Sequence, residues 1–387
     1  MNPIRIVFAK ELTDGSRDRR AVMSAMLFPI LGPALVYFMM TSLIHLQTEA
    51  KKAVIPVIGA EHAPGLIQYL HEKGMDTKTF TGDPKAAVKD KSEEVVLVIP
   101  DNFPERMDAA RPAVIELVQD GSRTDARPTI GRLQRFIRGY ATEIASMRLL
   151  LRGVSPTVIR TVNVEDIDVA SKQQRAAAAL NFIPMYIILA AFVSGMGLAI
   201  DGTAGERERR SLEPLLINPV ERFEIVTGKW LAASTFAAIG MTLTALLCIA
   251  AMRLVPLSEI GIDFHVDATQ VIAIILATAP VAFLATSMQL ALGSFARSFK
   301  DAQSYLGILV LLPVVPSMFL LLHPVATRIW MYAVPMLGQH LLLVDLLGGK
   351  PIPIAAYFLS ALSCLVVGFA LVLVTARLFQ RERIIST

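Results

Sequence analysis

Six runs of about twenty apolar residues dominate the chain, at about 22–44, 180–200, 230–252, 270–293, 304–322 and 355–376. None has Asp, Glu, Lys, Arg or His in its interior. A helix of roughly 20 such residues crosses a bilayer while keeping its backbone hydrogen bonds to itself. With 54% of its 387 residues hydrophobic and 18% charged, the chain is not a disordered protein, a collagen-like fibre or an ordinary cytosolic enzyme. The first run, some 22 residues long, exceeds the roughly 7–15-residue core of a signal peptide and lacks a small-residue cleavage site, so it is expected to persist as a helix.

Charge is spread unevenly. Residues 45–179 carry 37 of the 70 charged side chains, the density of a water-exposed domain. The net charge of +4, with no basic tract interleaved with aromatics, gives no sign of nucleic acid as a partner. Cys248 and Cys364 both fall in apolar runs and read as small buried hydrophobes. Orientation follows from Lys and Arg in the short loops. One side has Arg5, Lys10, Arg17, Arg19, Arg20, Arg207, Arg209, Arg210, Arg222, Lys229, Arg297, Lys300, Arg377, Arg381 and Arg383, and the other only Arg253, Arg328 and Lys350. Both termini are therefore expected in the cytoplasm, with residues 45–179 extracytoplasmic between helices 1 and 2. The fold class is a polytopic α-helical membrane protein of six transmembrane helices with an inserted α/β domain.

Within that domain, 53–59 and 94–99 read as short buried strands, 113–119 as a third, and 64–73 and 84–91 as helices. A long helix is predicted over 125–152, with Thr124 as N-cap and Pro128 in its first turn. Ile130, Leu133, Ile137, Tyr140, Ile144, Met147 and Leu151 form its apolar stripe at alternating spacings of three and four, suited to the domain's own sheet or to a neighbouring helix. Its arginines form either a solvated face or a contact for anionic headgroups or a partner protein. His62 and His71 read as surface histidines, and no catalytic or metal-ligating constellation stands out in the domain. Residues 325–347 are apolar but hold Arg328, Pro335, Gln339, His340 and Asp345. They are read as two short outer half-helices broken at Pro335–Gly338, not as a seventh span.

The face with most of the arginines carries the function. Within residues 1–20, Ile4, Val7, Phe8 and Leu12 share one helical face, which predicts an amphipathic helix along the inner leaflet. Helix 1 is placed at 21–44. After the second run the sequence is GERERRSLEPLLINPV (205–220), then ERFEIVTGKWLA (221–232). Leu212, Leu215 and Leu216 give this loop an apolar face, charged residues rim it and Pro219 stops it. A capped, leucine-faced helix at the membrane surface suits docking into another protein's cleft, which a plain positive anchor loop does not explain. Residues 180–376 hold helices 2–6, and 377–387 form a cytoplasmic tail.

These residues resemble the membrane-spanning subunit of a type-2 ABC exporter, and within that group the NatB-like sodium-extrusion branch. The resemblance covers almost the whole length, and its most specific piece is Gly205, Glu206, Arg207, Glu208, Ser211, Leu212, Glu213, Leu215, Leu216, Pro219 and Val220, then Gly228 and Lys229. Arg210 stands where the family usually has glycine, and Pro214 interrupts the helix. The resemblance implies that 205–219 is the coupling helix facing an ABC ATPase subunit, with Glu206, Arg207, Glu208, Ser211, Leu212, Glu213, Leu215, Leu216 and Pro219 at the contact. It also implies that ATP and Mg bind that partner. The sequence agrees, since Gly228–Lys229 runs into Trp230 and no phosphate-binding loop occurs. No cofactor, metal or catalytic residue is expected on this chain, and two permease subunits are expected to pair, as homodimer or heterodimer, in the cytoplasmic (inner) membrane. Sodium comes from the branch alone; a hydrophobic or amphipathic compound fits the apolar walls equally. A secondary transporter is disfavoured by the charge-free spans, and a membrane-anchored receptor or assembly protein stays open.

Overall fold

The computed structural model describes residues 2–123, 125–158, 181–211, 219–260, 264–323 and 326–379. Thr124, residues 212–218, Arg381 and Arg383 lie outside the described residues. The chain divides into two compact units, Met1–Met40 with Ala170–Thr387, and Thr41–Val169.

The helical unit begins with α1 (Pro3–Arg17), capped by Asn2, whose side chain accepts from the Ile4 amide. Span one, Ala21–Ser42, belongs to α2 (Arg19–Lys52). Span two, Phe182–Glu208, comprises α7 (Phe182–Ser194), α8 (Met196–Ile200), a π-helical turn (Asp201–Gly205) and one last α turn. Span three is α9 (Arg222–Leu254) and span four α10 (Ala268–Gly293). Span five, Phe299–Leu320, takes in α11 (Phe299–Leu309) and most of α12 (Val314–Leu322), and span six is α14 (Ile354–Leu378). The caps are local: Asp267 accepts from Gln270 N (2.7 Å) at the start of α10, and Ser298 from Asp301 N (3.2 Å) at α11. Among the described residues, six helices are thus long and apolar enough to cross a membrane, and the chain is a multi-pass membrane protein.

Small residues let these helices approach closely. A Cβ on Gly240 of α9 would lie 2.0 Å from Ser194 Oγ of α7, and that hydroxyl donates to Ala25 O of α2 (2.9 Å). Several polar side chains in the spans serve helix packing. Gln289 donates to Phe192 O, Ser234 and Thr286 share a hydrogen bond (2.7 Å), and Thr244 and Thr278 bond back to their own helices. Cys248 and Cys364 are buried and free.

Between spans five and six, a 3-10 turn (Ile329–Ala333) leads into α13 (Leu337–Leu347), with Met336 at φ 68° between them. The polar residues here are pinned to their neighbours. Gln339 donates to Ser360 O (2.7 Å), His340 Nδ1 pairs with Ser317 Oγ (3.0 Å), and Tyr332 OH donates to Asp345 (2.7 Å).

The second unit is an α/β domain. Its sheet has the order β2-β1-β3-β4, from β1 (Ile55–Ile58), β2 (Thr77–Thr79), β3 (Val95–Val98) and β4 (Glu116–Gln119). The first three strands run parallel, with Ile55 opposite Thr77 and Val57 opposite Leu97, while β4 is antiparallel to β3. The helices are α3 (Pro64–Glu72), α4 (Pro84–Lys89), α5 (Phe103–Asp108) and α6 (Arg127–Leu151). Leu66, Leu70, Leu97, Ile99, Ile130 and Leu133 are among its core residues.

Span two ends in a six-residue closing turn. Ser211 N donates to Glu206 O (2.9 Å) and Arg210 N to Arg207 O (3.0 Å), leaving Arg210 at φ 55°. This is the Schellman arrangement, whose left-handed position favours glycine. A side chain there costs about 1–2 kcal/mol, against which glycine's greater freedom in the unfolded chain must be set. Arg210→Gly is therefore expected to raise thermal stability by about 1 kcal/mol, read as a higher melting temperature of the detergent-solubilised protein. An unchanged or lower value contradicts this account of the turn.

Candidate functional site

The site grows from a charge on an apolar face. On α1, Ile4, Val7, Phe8 and Leu12 are half-buried, and Glu11, which falls on the same face, is buried. Phe8 and Leu12 pack on a core built from α8, α9 and α14, including Leu198, Trp230, Phe236 and Phe379. Val7 meets Gly228 of α9 so closely that a Cβ there would lie 2.6 Å from Val7 Cβ. The face that the sequence assigns to the inner leaflet therefore packs on protein, and it carries Glu11 with it.

Glu11 meets Lys229 at that crossing. Lys229 Nζ donates to Glu11 Oε1 (2.8 Å) and to Glu206 Oε1 (2.6 Å). All three residues are almost sealed from solvent, at 3% exposure for Lys229, 4% for Glu11 and 5% for Glu206. Lys10 closes the group from its rim, with Nζ at 3.0 Å from Glu11 and 3.5 Å from Glu206. The buried Lys229 and the half-exposed Lys10 together match the charge of the two carboxylates. Burial acts first on Glu11 and raises its pKa, but the adjacent Lys229 and Lys10 ammonium groups outweigh it and hold the carboxyl below its ordinary 4.5.

The π-helical turn places Glu206. One residue added to the turn rotates everything beyond it, and π-turns concentrate at functional places. Gly202 lies against the group: a Cβ there would make ordinary contact with Lys229 Nζ (3.7 Å) and Glu11 Oε2 (3.9 Å). Across the turn, Arg209 Nη1 donates to Asp201 Oδ1 (2.7 Å).

The neighbouring motif residues are also engaged within the chain. Arg207 donates to Ala296 O and Ser294 O (2.7 Å each), past the end of α10. Glu208 accepts from Phe299 N (2.7 Å) at the start of α11. Ser211 Oγ donates to Glu206 O (3.2 Å), and Pro219 is exposed. Glu206, Arg207 and Glu208 thus fasten the end of span two to α1, α9, α10 and α11. Leu212, Glu213, Leu215 and Leu216 lie outside the described residues.

Sequence reasoning missed Glu11 and the role of Lys229. The windows 180–200 and 230–252 stop just short of Asp201 and Lys229, whereas the helices run through both. A signal was present: positions 4, 7, 8, 11 and 12 form one helical face, and an acid among four hydrophobes needs a buried partner. Among the described residues, no group of three His, Cys, Asp or Glu is placed to hold a metal ion.

Glu206 and Lys229, 23 positions apart, meet in one ion pair. A family model described as ABC-2 family transporter protein matches residues 5–383. The chain belongs to the ABC-2 transporter family. It is also 28% identical over 381 residues to the ABC transporter permease protein NatB of Bacillus subtilis (strain 168), covering 92% of this chain and 96% of that protein. In this ABC-2 family member, Lys229 Nζ is occupied by two carboxylates and is not presented to a phosphate.

Two outcomes follow for the buried group. Lys229→Met leaves two carboxylates facing each other out of water, a change that typically costs about 3–5 kcal/mol. It should lower the melting temperature and expose α1 to trypsin at Arg5 and Arg17, while Glu11→Gln added to Lys229→Met restores part of the loss. A fully additive double variant would show that the pair does not interact. For pH, the sign follows from Glu11: its contribution is complete above the ordinary value of 4.5, declines progressively below it and is gone once pH has fallen through the depressed value of the folded state. Protease resistance of α1 should therefore hold down to pH 4.5 and be lost progressively at lower pH; loss on mild acidification, above that value, contradicts the assignment.

Proposed function

We propose that this chain is the permease subunit of an ATP-driven ABC exporter of the cytoplasmic (inner) membrane, with both termini in the cytoplasm and residues 45–179 outside. ATP and Mg bind a separate ABC ATPase subunit, and two permease subunits, identical or related, pair around the path. The observation that carries this reading is the buried Glu11–Lys229–Glu206 group. It ties α1 to the ends of spans two and three beside the loop that the family motif assigns to the ATPase. A push on residues 211–219 is then delivered through Ser211 and the closing turn to Glu206, and from Glu206 to α1 and α9 together.

The inward engagement of Glu206, Arg207 and Glu208 concentrates the direct ATPase contact on Ser211, Leu212, Glu213, Leu215, Leu216 and Pro219, with the three charged residues transmitting force behind it. The permease assignment makes this chain a transport subunit with its chemistry on the partner.

For the cargo, the resemblance gives sodium, and one observation favours a hydrophobic or amphipathic compound. A groove of about 660 Å³ runs beside α9, lined by Phe8, Leu231, Ala238, Ile239, Leu243 and Leu246 among others. ATPase activity of the reconstituted complex, screened against sodium, lipids and hydrophobic drugs, separates the two.

Leu212→Asp with Leu216→Asp tests the coupling. The double variant is expected to lose co-purification of the cognate ATPase and at least tenfold of transport, with an unchanged melting temperature, because an apolar contact worth about 1.4 kcal/mol or more is removed. Undiminished complex formation and transport would refute the reading.

A further inference from the structure

The apolar core contacts of helix α6 end well before the helix does. Ile130, Leu133 and Tyr140 pack on the sheet side of the domain core. Beyond Ile144 the same apolar stripe leaves that core. Met147, Leu150 and Leu151 are exposed, Leu151 to 84%, and Val154 and Val158 extend the bare surface past the end of the helix. Soluble domains seldom leave five large apolar side chains together in water, and such a patch marks a docking surface.

Charge decides between the candidate occupants. From Arg127 to Arg152 the segment carries Arg127, Arg132, Arg135, Arg138, Arg148 and Arg152, against the single acid Glu143. The same helix of a second copy would bring arginines against arginines, and like charges at an interface repel. Arg152 is exposed directly beside Leu151, and Arg148, whose Nη2 donates to Met107 O (2.6 Å), borders the patch on the same turn. An apolar tip with the exposed Arg152 at its edge complements a surface that is apolar inside and negatively charged outside. That is the headgroup boundary of a bilayer containing anionic lipid. The domain is inserted between two membrane spans, so such a surface is always within reach of its chain.

We propose that the carboxyl end of α6, through Leu150, Leu151, Val154 and Val158 with Arg152, docks into the interface of an anionic bilayer. The inference needs the membrane location of the chain and not its ATP-driven transport. Docking tethers the inserted domain at a third point, besides the two spans that flank it, and makes its attitude depend on lipid charge.

The full-length chain tests it. Leu151→Cys, labelled with an environment-sensitive fluorophore, is reconstituted into vesicles of phosphatidylcholine alone or mixed with phosphatidylglycerol. The wild type is labelled in parallel to account for the buried Cys248 and Cys364. Because position 151 is exposed, the substitution leaves the core intact, and an unchanged melting temperature checks this. The expected result in phosphatidylglycerol vesicles is a shift of emission to shorter wavelength and quenching by lipid-borne nitroxides. Both effects should weaken in Arg152→Glu, in high salt and in phosphatidylcholine alone. Water-like emission in every vesicle overturns the proposal. So does a shifted emission that lipid nitroxides fail to quench, which means that protein, whether a second copy or a partner, covers the tip.

Discussion

The helical unit depends on one ammonium group buried where three chain segments meet. Lys229 gives two hydrogen bonds to carboxylates contributed by α1 and by the end of span two, and its own helix begins span three. Taking such groups out of water costs several kcal/mol per ion, which the contacts recover only when every charge is matched. The match is made by Lys10, which touches both carboxylates from the solvent side. The group is therefore weak evidence of extra stability and strong evidence of specificity: separating any one helix leaves an unpaired charge in a closed space. Three helices held in this way move as one body or pass through a costly intermediate.

The surrounding details support rigid transmission. Gly228 admits Val7, Gly202 lies against the ion pair, and the π-turn aims Glu206 inward. Arg207 and Glu208 then extend the connection to the end of span four and the start of span five. The final turn at Arg210 keeps a left-handed conformation with an arginine at a position that favours glycine. The closing turn accepts the side chain at an energetic cost, so its geometry is held by the neighbouring contacts and not by local preference.

Much of this was legible in the sequence, for physical reasons. Apolar runs free of charge have one solution in lipid, and all six emerged in order. β1 and β3 were legible because their buried Val and Ile leave few alternatives, whereas β2 (Thr77–Thr79) has three half-exposed or exposed polar residues and no periodic signal. The site was legible as a motif but not as geometry. Hydropathy windows end at the first charge, so they discard the residues by which span ends recognise one another. Glu206 and Lys229 lie 23 positions apart, and Glu11 lies 218 from Lys229. No local pattern joins them, and only the odd acid on the face of α1 announced that a distant cation was required.

That same acid bears on how energy enters the chain. Ion-driven carriers place ionisable groups along the membrane interior, where protonation or ion binding can alternate. Here the buried charges of the Lys229 group lie at helix ends and are paired, and several interior polar groups make helix contacts, such as Gln289 to Phe192 and Ser234 to Thr286. A paired group of this kind answers poorly to an ion gradient, because adding or removing one charge unpairs the rest. It answers well to a mechanical load, because displacement of any one segment is resisted by both of the others. The arrangement therefore favours a device worked from the membrane surface over one worked by ions crossing its core.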